Sequence, residues 1–205
     1  MNTPNKLTVL RIFLVFPFLT IMTLFIFQGD QDPIEYSTLN YRLAYFLVAG
    51  ALFGIAMFTD YIDGYLARKN KQITTFGKLF DPLADKFMTT SALIMLSIAG
   101  IVPIWITLPF ILRDTLVDVI RNLAAKNNID LSSSIWGKAK TMVMSIAIGF
   151  VFIIYPSYNF GDCKYGMQIG WELALLNLPL MIGLSLSIIS GYLYFKQFKP
   201  FIKAK

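Results

Sequence analysis

The chain has 205 residues, 56% of them hydrophobic and 15% charged, with a formal net charge of +6 and a mean hydropathy of +0.62. Water-soluble domains carry about 25% charged residues, so this composition excludes one. Histidine is absent and Cys163 is the single cysteine; this removes the commonest general base, the commonest zinc ligand and any intrachain disulfide.

Six apolar segments follow one another, at 7–27, 41–59, 86–102, 104–125, 139–155 and 171–195. Several reach the roughly 20 residues that a bilayer-spanning helix needs. The first has a short basic lead, Lys6, and no small-residue cleavage site before Gln28-Gly29-Asp30. It reads as a retained span rather than a signal peptide. Gly100 and Pro103 mark a tight turn between the third and fourth segments, and Tyr155-Pro156 ends the fifth. The fourth begins apolar over Ile104–Leu112 and then carries Arg113, Asp114, Asp118 and Arg121. The predicted fold is all-α: a polytopic membrane protein of six transmembrane helices forming one domain over residues 1–205.

If the N-terminus is cytoplasmic and the spans alternate, sixteen of the 18 lysines and arginines fall inside and only Arg42 and Lys164 fall outside. That asymmetry predicts both termini on the cytoplasmic side of the cell membrane. The net positive charge then belongs to a face apposed to anionic lipid. No nucleic-acid motif accompanies it, and no nucleic-acid partner is expected.

Charge is scarce, yet residues 58–87, FTDYIDGYLARKNKQITTFGKLFDPLADKF, hold Asp60, Asp63, Asp81 and Asp85. On a helix continuing the second span, at about 100° per residue, Asp63, Gly64, Ala67 and Arg68 all fall within about 80° of Asp60. Two carboxylates, two minimal side chains and a guanidinium share that stripe. Gly77, Asp81 and Asp85 are spaced four apart and line one face of the third span. Pro82 suits an early helical position, and would kink a helix that had already begun at Gly77. Four converging carboxylates repel one another in a low dielectric unless protons or cations neutralise them. Oxygen-only donors favour hard divalent ions, and a pair about 3.5–4 Å apart would clamp a diphosphate. Two other readings stay open: a solvated loop with ordinary i,i+4 pairs, or an ion pathway through the membrane.

The spacing Asp-x₂-Asp-Gly-x₂-Ala-Arg-x₈-Gly-x₃-Asp-x₃-Asp is met at Asp60, Asp63, Gly64, Ala67, Arg68, Gly77, Asp81 and Asp85. It resembles the signature of the CDP-alcohol phosphotransferases, and the six-span pattern is similar over essentially the whole chain. The resemblance implies that Asp60, Asp63, Asp81 and Asp85 bind two divalent cations, Mg²⁺ or Mn²⁺, with Asp85 also the general base. It implies that Gly64, Ala67, Arg68, Gly77 and the Thr74 region face the cytidine nucleotide. Pro4–Arg11, PNKLTVLR, resembles the family's Pro-Asn-x-Leu-Thr-x-x-Arg opening, which would put Asn5 and Thr8 beside the nucleotide. Asn5 reads equally well as a helix N-cap.

The segment RDTLVDVIRNLAAKNNIDLSSSIWGKAKT resembles the phosphatidylglycerophosphate synthase branch through Arg113, Arg121, Ser134, Gly137, Lys138, Lys140 and Thr141. It departs at Asp114, where that branch has glutamate, and Asp118 has no counterpart in the pattern. Independently, Arg113 and Arg121 are eight apart, about 80° on a helix, and Lys138 and Lys140 open the fifth segment. Such a cationic cup suits a phosphorylated acceptor, although snorkelling at the inner face also favours these residues. The implied reaction moves a phosphatidyl group from CDP-diacylglycerol to sn-glycerol 3-phosphate, giving phosphatidylglycerophosphate and CMP. The same chemistry on inositol phosphate, serine or phosphatidylglycerol is the alternative, and a divalent-cation transporter is a rival of another class. The resemblance also implies a homodimer. Met142, Met144, Ser145, Ala147 and Gly149 offer small or adaptable surface for helix packing.

Overall fold

Residues 7–27 carry one charged side chain, Arg11. A helix satisfies every backbone polar group of such a segment internally, whatever surrounds it. In the computed structural model, which describes residues 3–27, 36–69, 75–127, 135–157 and 171–203, they lie in α1, Thr3–Phe27. There follow α2 (Tyr36–Lys69), α3 (Thr75–Ile98), α4 (Ile104–Lys126), α5 (Ile135–Ile154), a 3₁₀ turn at Tyr155–Ser157, and α6 (Trp171–Lys203). The described residues are all-helical, as the composition predicts.

Two helices extend beyond the apolar segments that mark them, as the helical spacing of the aspartate stretch expects. The second helix continues through the first half of the aspartate stretch to Lys69, and the third begins at Thr75 rather than at residue 86. Gly77, Asp81, Pro82 and Asp85 therefore all lie within α3, with Pro82 in its interior and not at its start. Hydropathy marks only the apolar part of a helix, so the polar first turns of α3 escaped it.

Among the described residues, three helices are long and apolar enough to cross a membrane: Leu7–Phe27, Tyr41–Ile62 and Leu173–Phe198. The apolar parts of α3 and α5 are shorter, Lys86–Ile98 and Lys140–Ile154. In α4 the four charges from Arg113 onward interrupt the apolar run. The exposed surface is itself apolar: Phe13, Phe16 and Phe27 on α1, Trp105 on α4, Ile153 on α5 and Trp171 on α6 all lie outside the packed core. A helix that is hydrophobic all round, with large aromatic side chains outward, matches a hydrocarbon surrounding better than water.

The chain forms two compact units. The first contains α1, α2, α3, the C-terminal end of α5 and the 3₁₀ turn. Its core is aromatic: Phe46 meets Phe25 at 5.1 Å, Phe152 at 5.0 Å and Tyr155 at 5.1 Å between ring centroids. Phe18 meets Phe152 edge-on at 6.1 Å. Such pairs add about 0.5–1.5 kcal/mol each beyond area burial, which matters where lipid tails compete for the same apolar surface. The contacts fix the direction of α1 against α2. Phe25 meets Phe46 and Arg11 meets Asp60; fourteen residues separate the members on each helix. The two helices are antiparallel over about 21 Å, so Asp60 lies at the N-terminal end of α1. The unit closes with a Schellman motif: Gly100, at φ 74°, donates to the Ser97 carbonyl, and Ile101 donates to that of Leu96.

The second unit contains α4, the N-terminal part of α5 and α6. Arg113 reaches Ser190 and Arg121 reaches Tyr194. Both contacts advance in the same sense, so α4 and α6 run parallel. Met144 and Ala147, two of the residues expected on a packing surface of α5, are buried within the chain itself. Gly183 of α6 brings the Met144 sulfur to within 3.1 Å of where a Cβ would stand. Met142 is exposed, and Ser145 and Gly149 are half-buried.

Candidate functional site

Five residues separate the end of α2 from the start of α3, and the two helices pack together as an αα-hairpin. Asp63 and Asp81 each lie six residues from the hairpin's closed end, and Asp60 and Asp85 lie nine and ten residues from it. At about 1.5 Å per residue the pairs sit at matching depths, near 9 Å and 14 Å. α1 packs on both helices. The backbone thus gathers four carboxylate-bearing positions, from two helices, at the α1 N-terminal end of the first unit.

Asp60 is the one of the four whose side chain is described. It is half-buried and accepts a hydrogen bond from Arg11 Nη1, whose side chain is fully enclosed. Arg11 lies one helical turn from Thr8, also buried. Thr59, next to Asp60, turns its hydroxyl back to the Ile55 carbonyl at 2.6 Å. Of the predicted nucleotide-facing residues, Gly64 lies half-buried on α2 one turn beyond Asp60, and Thr8 lies at the same end of the unit. Ala67 and Arg68 on α2, Gly77 on α3 and Asn5 on α1 occupy helical positions, but their surroundings, like the side chains of Asp63, Asp81 and Asp85, fall outside the described residues, as does Thr74 altogether. Asn5 lies inside α1, two residues after its first helical residue, and therefore not at its N-cap.

The second unit holds the cationic residues. Arg113 on α4 donates from Nη1 to Asp114 Oδ1 at 2.8 Å and from Nη2 to Ser190 Oγ on α6 at 2.7 Å. Lys140 on α5 donates to the same Asp114 oxygen, and its ammonium stands 4.7 Å from the Phe110 ring centroid. Arg121, two turns beyond Arg113, donates to the Tyr194 hydroxyl at 2.5 Å and lies 4.7 Å over that ring. Lys138 falls on the first turn of α5 with its side chain outside the described residues. Two of the four predicted acceptor-binding cations, Arg113 and Lys140, therefore meet at the carboxylate of Asp114, which stands where the sequence pattern has glutamate, and Arg121 lies about 12 Å further along α4.

Residues 1–183 match the family model described as CDP-alcohol phosphatidyltransferase. The chain belongs to the CDP-alcohol phosphatidyltransferase family. It is 31% identical over 205 residues to the CDP-diacylglycerol–glycerol-3-phosphate 3-phosphatidyltransferase of Mycoplasma pneumoniae, covering 98% of this chain and 89% of the relative. It is 31% identical over 196 residues to the protein of the same name from Bacillus subtilis, covering 96% and 94%. With the Haemophilus influenzae protein of that name it shares 35% over 162 residues, covering 77% and 78%.

For this CDP-alcohol phosphatidyltransferase, sequence reasoning matched Arg11 to the family's opening without giving it a role, and missed Ser190 and Tyr194. Arg11 had a usable signal: an ionisable residue inside an otherwise uncharged apolar run is a functional candidate by default. Ser190 and Tyr194 had none, because a serine and a tyrosine in an apolar helix are unremarkable until their partners on α4 are known.

Proposed function

We propose that this CDP-alcohol phosphatidyltransferase transfers the phosphatidyl group of CDP-diacylglycerol to the 1-hydroxyl of sn-glycerol 3-phosphate. The relatives' names supply the reaction class and the two substrates. The observation that carries the acceptor is the set of three cations in the second unit: Arg113 and Lys140 share the Asp114 carboxylate, and Arg121, two turns further along α4, lies over Tyr194. Planar guanidinium groups recognise phosphate through directed, charge-assisted hydrogen bonds, and several cations suit a phosphate dianion better than zwitterionic serine, whose single carboxylate stands beside its own ammonium.

The donor is assigned to the aspartate hairpin. Its four carboxylate positions at matched depths, in a chain with no nitrogen ligand from histidine, suit hard divalent cations such as Mg²⁺ or Mn²⁺. Asp60, Asp63, Asp81 and Asp85 would hold two of them. When bound, such ions neutralise the donor's diphosphate and the charge that develops on the departing CMP. Arg11 holds the Asp60 carboxylate in one orientation and offsets part of the local negative charge. Gly64, Ala67, Arg68, Gly77, Thr74, Asn5 and Thr8 line the approach of the nucleotide. Asp85 removes the proton from the acceptor's 1-hydroxyl. The oxygen bonds to the phosphorus bearing diacylglycerol, the bond from that phosphorus to the CMP oxygen breaks, and CMP leaves with the electron pair. Positioning and charge neutralisation carry most of such a transfer.

The chain crosses the cell membrane six times as one catalytic domain over residues 1–205, with both termini and the site facing the cytoplasm, and it pairs as a homodimer. The family match across both units, the all-round apolar helices and the sixteen-to-two division of basic residues support this arrangement. The deciding experiment is CMP release by purified protein given CDP-diacylglycerol, Mg²⁺ or Mn²⁺, and a panel of glycerol 3-phosphate, inositol phosphate, serine and phosphatidylglycerol. Release that follows glycerol 3-phosphate is expected; equal or faster release with serine overturns the acceptor assignment.

A further inference from the structure

Two arginines on one helix can recognise a small phosphate only if their guanidinium groups stay in fixed planes. A free arginine side chain carries about 2 kcal/mol of rotamer entropy that binding must otherwise suppress. In the second unit α6 supplies the constraint. Ser190 and Tyr194 are four residues apart and so share one face of α6; both are buried, against Arg113 and Arg121 respectively. Gly191 stands between them in sequence. A Cβ there would fall 3.1 Å from Arg113 Nε and 3.2 Å from its Cγ, so the arginine stem lies flush on the α6 backbone. Arg113 Nε is buried at that contact and has no hydrogen-bond partner. The position is held by packing rather than by a bond at Nε. The other edge of the guanidinium is fixed by Asp114.

We propose that Ser190, Gly191 and Tyr194 form a seat on α6 that positions Arg113 and Arg121 for the acceptor's phosphate, and so set selectivity for a phosphorylated alcohol. None of the three touches the acceptor. They act through the arginines, and Gly191 sets how far Arg113 can reach. The inference rests on the acceptor-phosphate reading above.

The test is steady-state kinetics of CMP release by Ser190→Ala, Gly191→Ala and Tyr194→Phe. The Michaelis constants for glycerol 3-phosphate and for CDP-diacylglycerol are measured separately, and glycerol serves as an acceptor lacking phosphate. Tyr194→Phe keeps the ring under Arg121 and removes only the hydroxyl, and Ser190→Ala removes only the hydroxyl opposite Arg113, so neither should unfold the chain. The expected result is a rise of about 5–20-fold in KM for glycerol 3-phosphate in each, below the roughly 10–150-fold of a hydrogen bond to a charged group lost outright, because the arginine itself remains. KM for CDP-diacylglycerol stays unchanged, and the preference for glycerol 3-phosphate over glycerol falls by a similar factor. Gly191→Ala should shift KM at least as far, because the stem must move. Equal shifts in both Michaelis constants, or none, overturn the seat. Arg113→Ala and Arg121→Ala separate the two levels of the argument. If they raise KM for glycerol 3-phosphate while the α6 variants do not, the seat alone is wrong. If they also leave it unchanged, the acceptor reading fails first.

Discussion

In the first unit a fully enclosed arginine, Arg11, reaches a half-buried aspartate; in the second a single aspartate, Asp114, takes both Arg113 and Lys140. The bonds are alike but the surroundings have opposite sign. Around Asp60 the hairpin of α2 and α3 brings three more carboxylate-bearing positions to similar depth. Around Asp114 the neighbours are cationic, with Arg121 two turns further along α4. A site with surplus negative charge is completed by metal cations, and one with surplus positive charge by an anion, because an unmatched charge removed from water costs several kcal/mol. On the proposed assignments, the same residue pair would border a cation site in one place and an anion site in the other.

The strongest way to break this contrast is to remove a carboxylate from the hairpin. Asp63→Asn or Asp81→Asn should lower turnover by about 10²–10³-fold or more, the scale of losing one preorganised electrostatic contact at the reacting group. Asp85→Asn should cost about 10²–10⁴-fold, the usual contribution of a general base; full activity in that variant removes the proton-transfer role from Asp85. Initial rates of CMP release at saturating Mg²⁺ measure both. Next in size is the anion side. Arg113→Ala and Arg121→Ala should raise KM for glycerol 3-phosphate by about 10–100-fold, as expected for hydrogen bonds between charged groups. The lipid donor's constant should not move, so a parallel rise in both would mean the second unit does not discriminate the acceptor.

The two sides of the contrast were unequally legible in the amino-acid sequence. The hairpin was readable because its chemistry is local: eight residues at fixed spacing within twenty-six positions, on helices whose 3.6-residue period is known beforehand. Spacing also placed Gly77, Asp81 and Asp85 on the third helix, although hydropathy sees only its apolar part from Lys86 onward; what could not be read was the partner of Asp60, which comes from a different helix forty-nine residues earlier. The cationic region showed its arginines and lysines but not its order. Asp114 looked like a departure from a pattern until Lys140 was seen to share its carboxylate. Ser190 and Tyr194 were invisible because their meaning lies in contacts more than seventy residues away in sequence. Helix-period reasoning finds faces; it does not find which faces meet.

A smaller effect sharpens the comparison on the cationic side. Asp114→Asn keeps the side chain's shape and removes the charge shared by Arg113 and Lys140, whose side chains are 12% and 5% exposed. Arg113 and Lys140 then lose the carboxylate they share. Thermal stability in detergent should fall by about 1–3 kcal/mol, less than the 3–5 kcal/mol of a fully buried broken pair because the site is partly open. Added inorganic phosphate should restore much of that loss, since a ligand that binds the folded state stabilises it by mass action. Loss of stability with no response to phosphate would mean that the cluster is structural rather than an anion site.

Arg11→Met makes the matching change on the other side, and its effect on stability should be the smallest. The substitution keeps the apolar bulk of a fully enclosed side chain and removes its charge. The Asp60 carboxylate left behind is 42% exposed and can take water in place of the guanidinium. Breaking a fully buried pair costs about 3–5 kcal/mol because the remaining charge is stranded; here that charge rehydrates, so the midpoint should shift by less than about 1 kcal/mol, with no response to phosphate. Function should register what stability does not. With its orienting donor gone, Asp60 should hold metal less well, and the Mg²⁺ concentration for half-maximal CMP release should rise up to about tenfold, the low end of what supporting hydrogen bonds contribute to metal sites. An unchanged Mg²⁺ requirement would detach Arg11 from the metal site and leave it a buried charge whose only work is to tie α1 to α2.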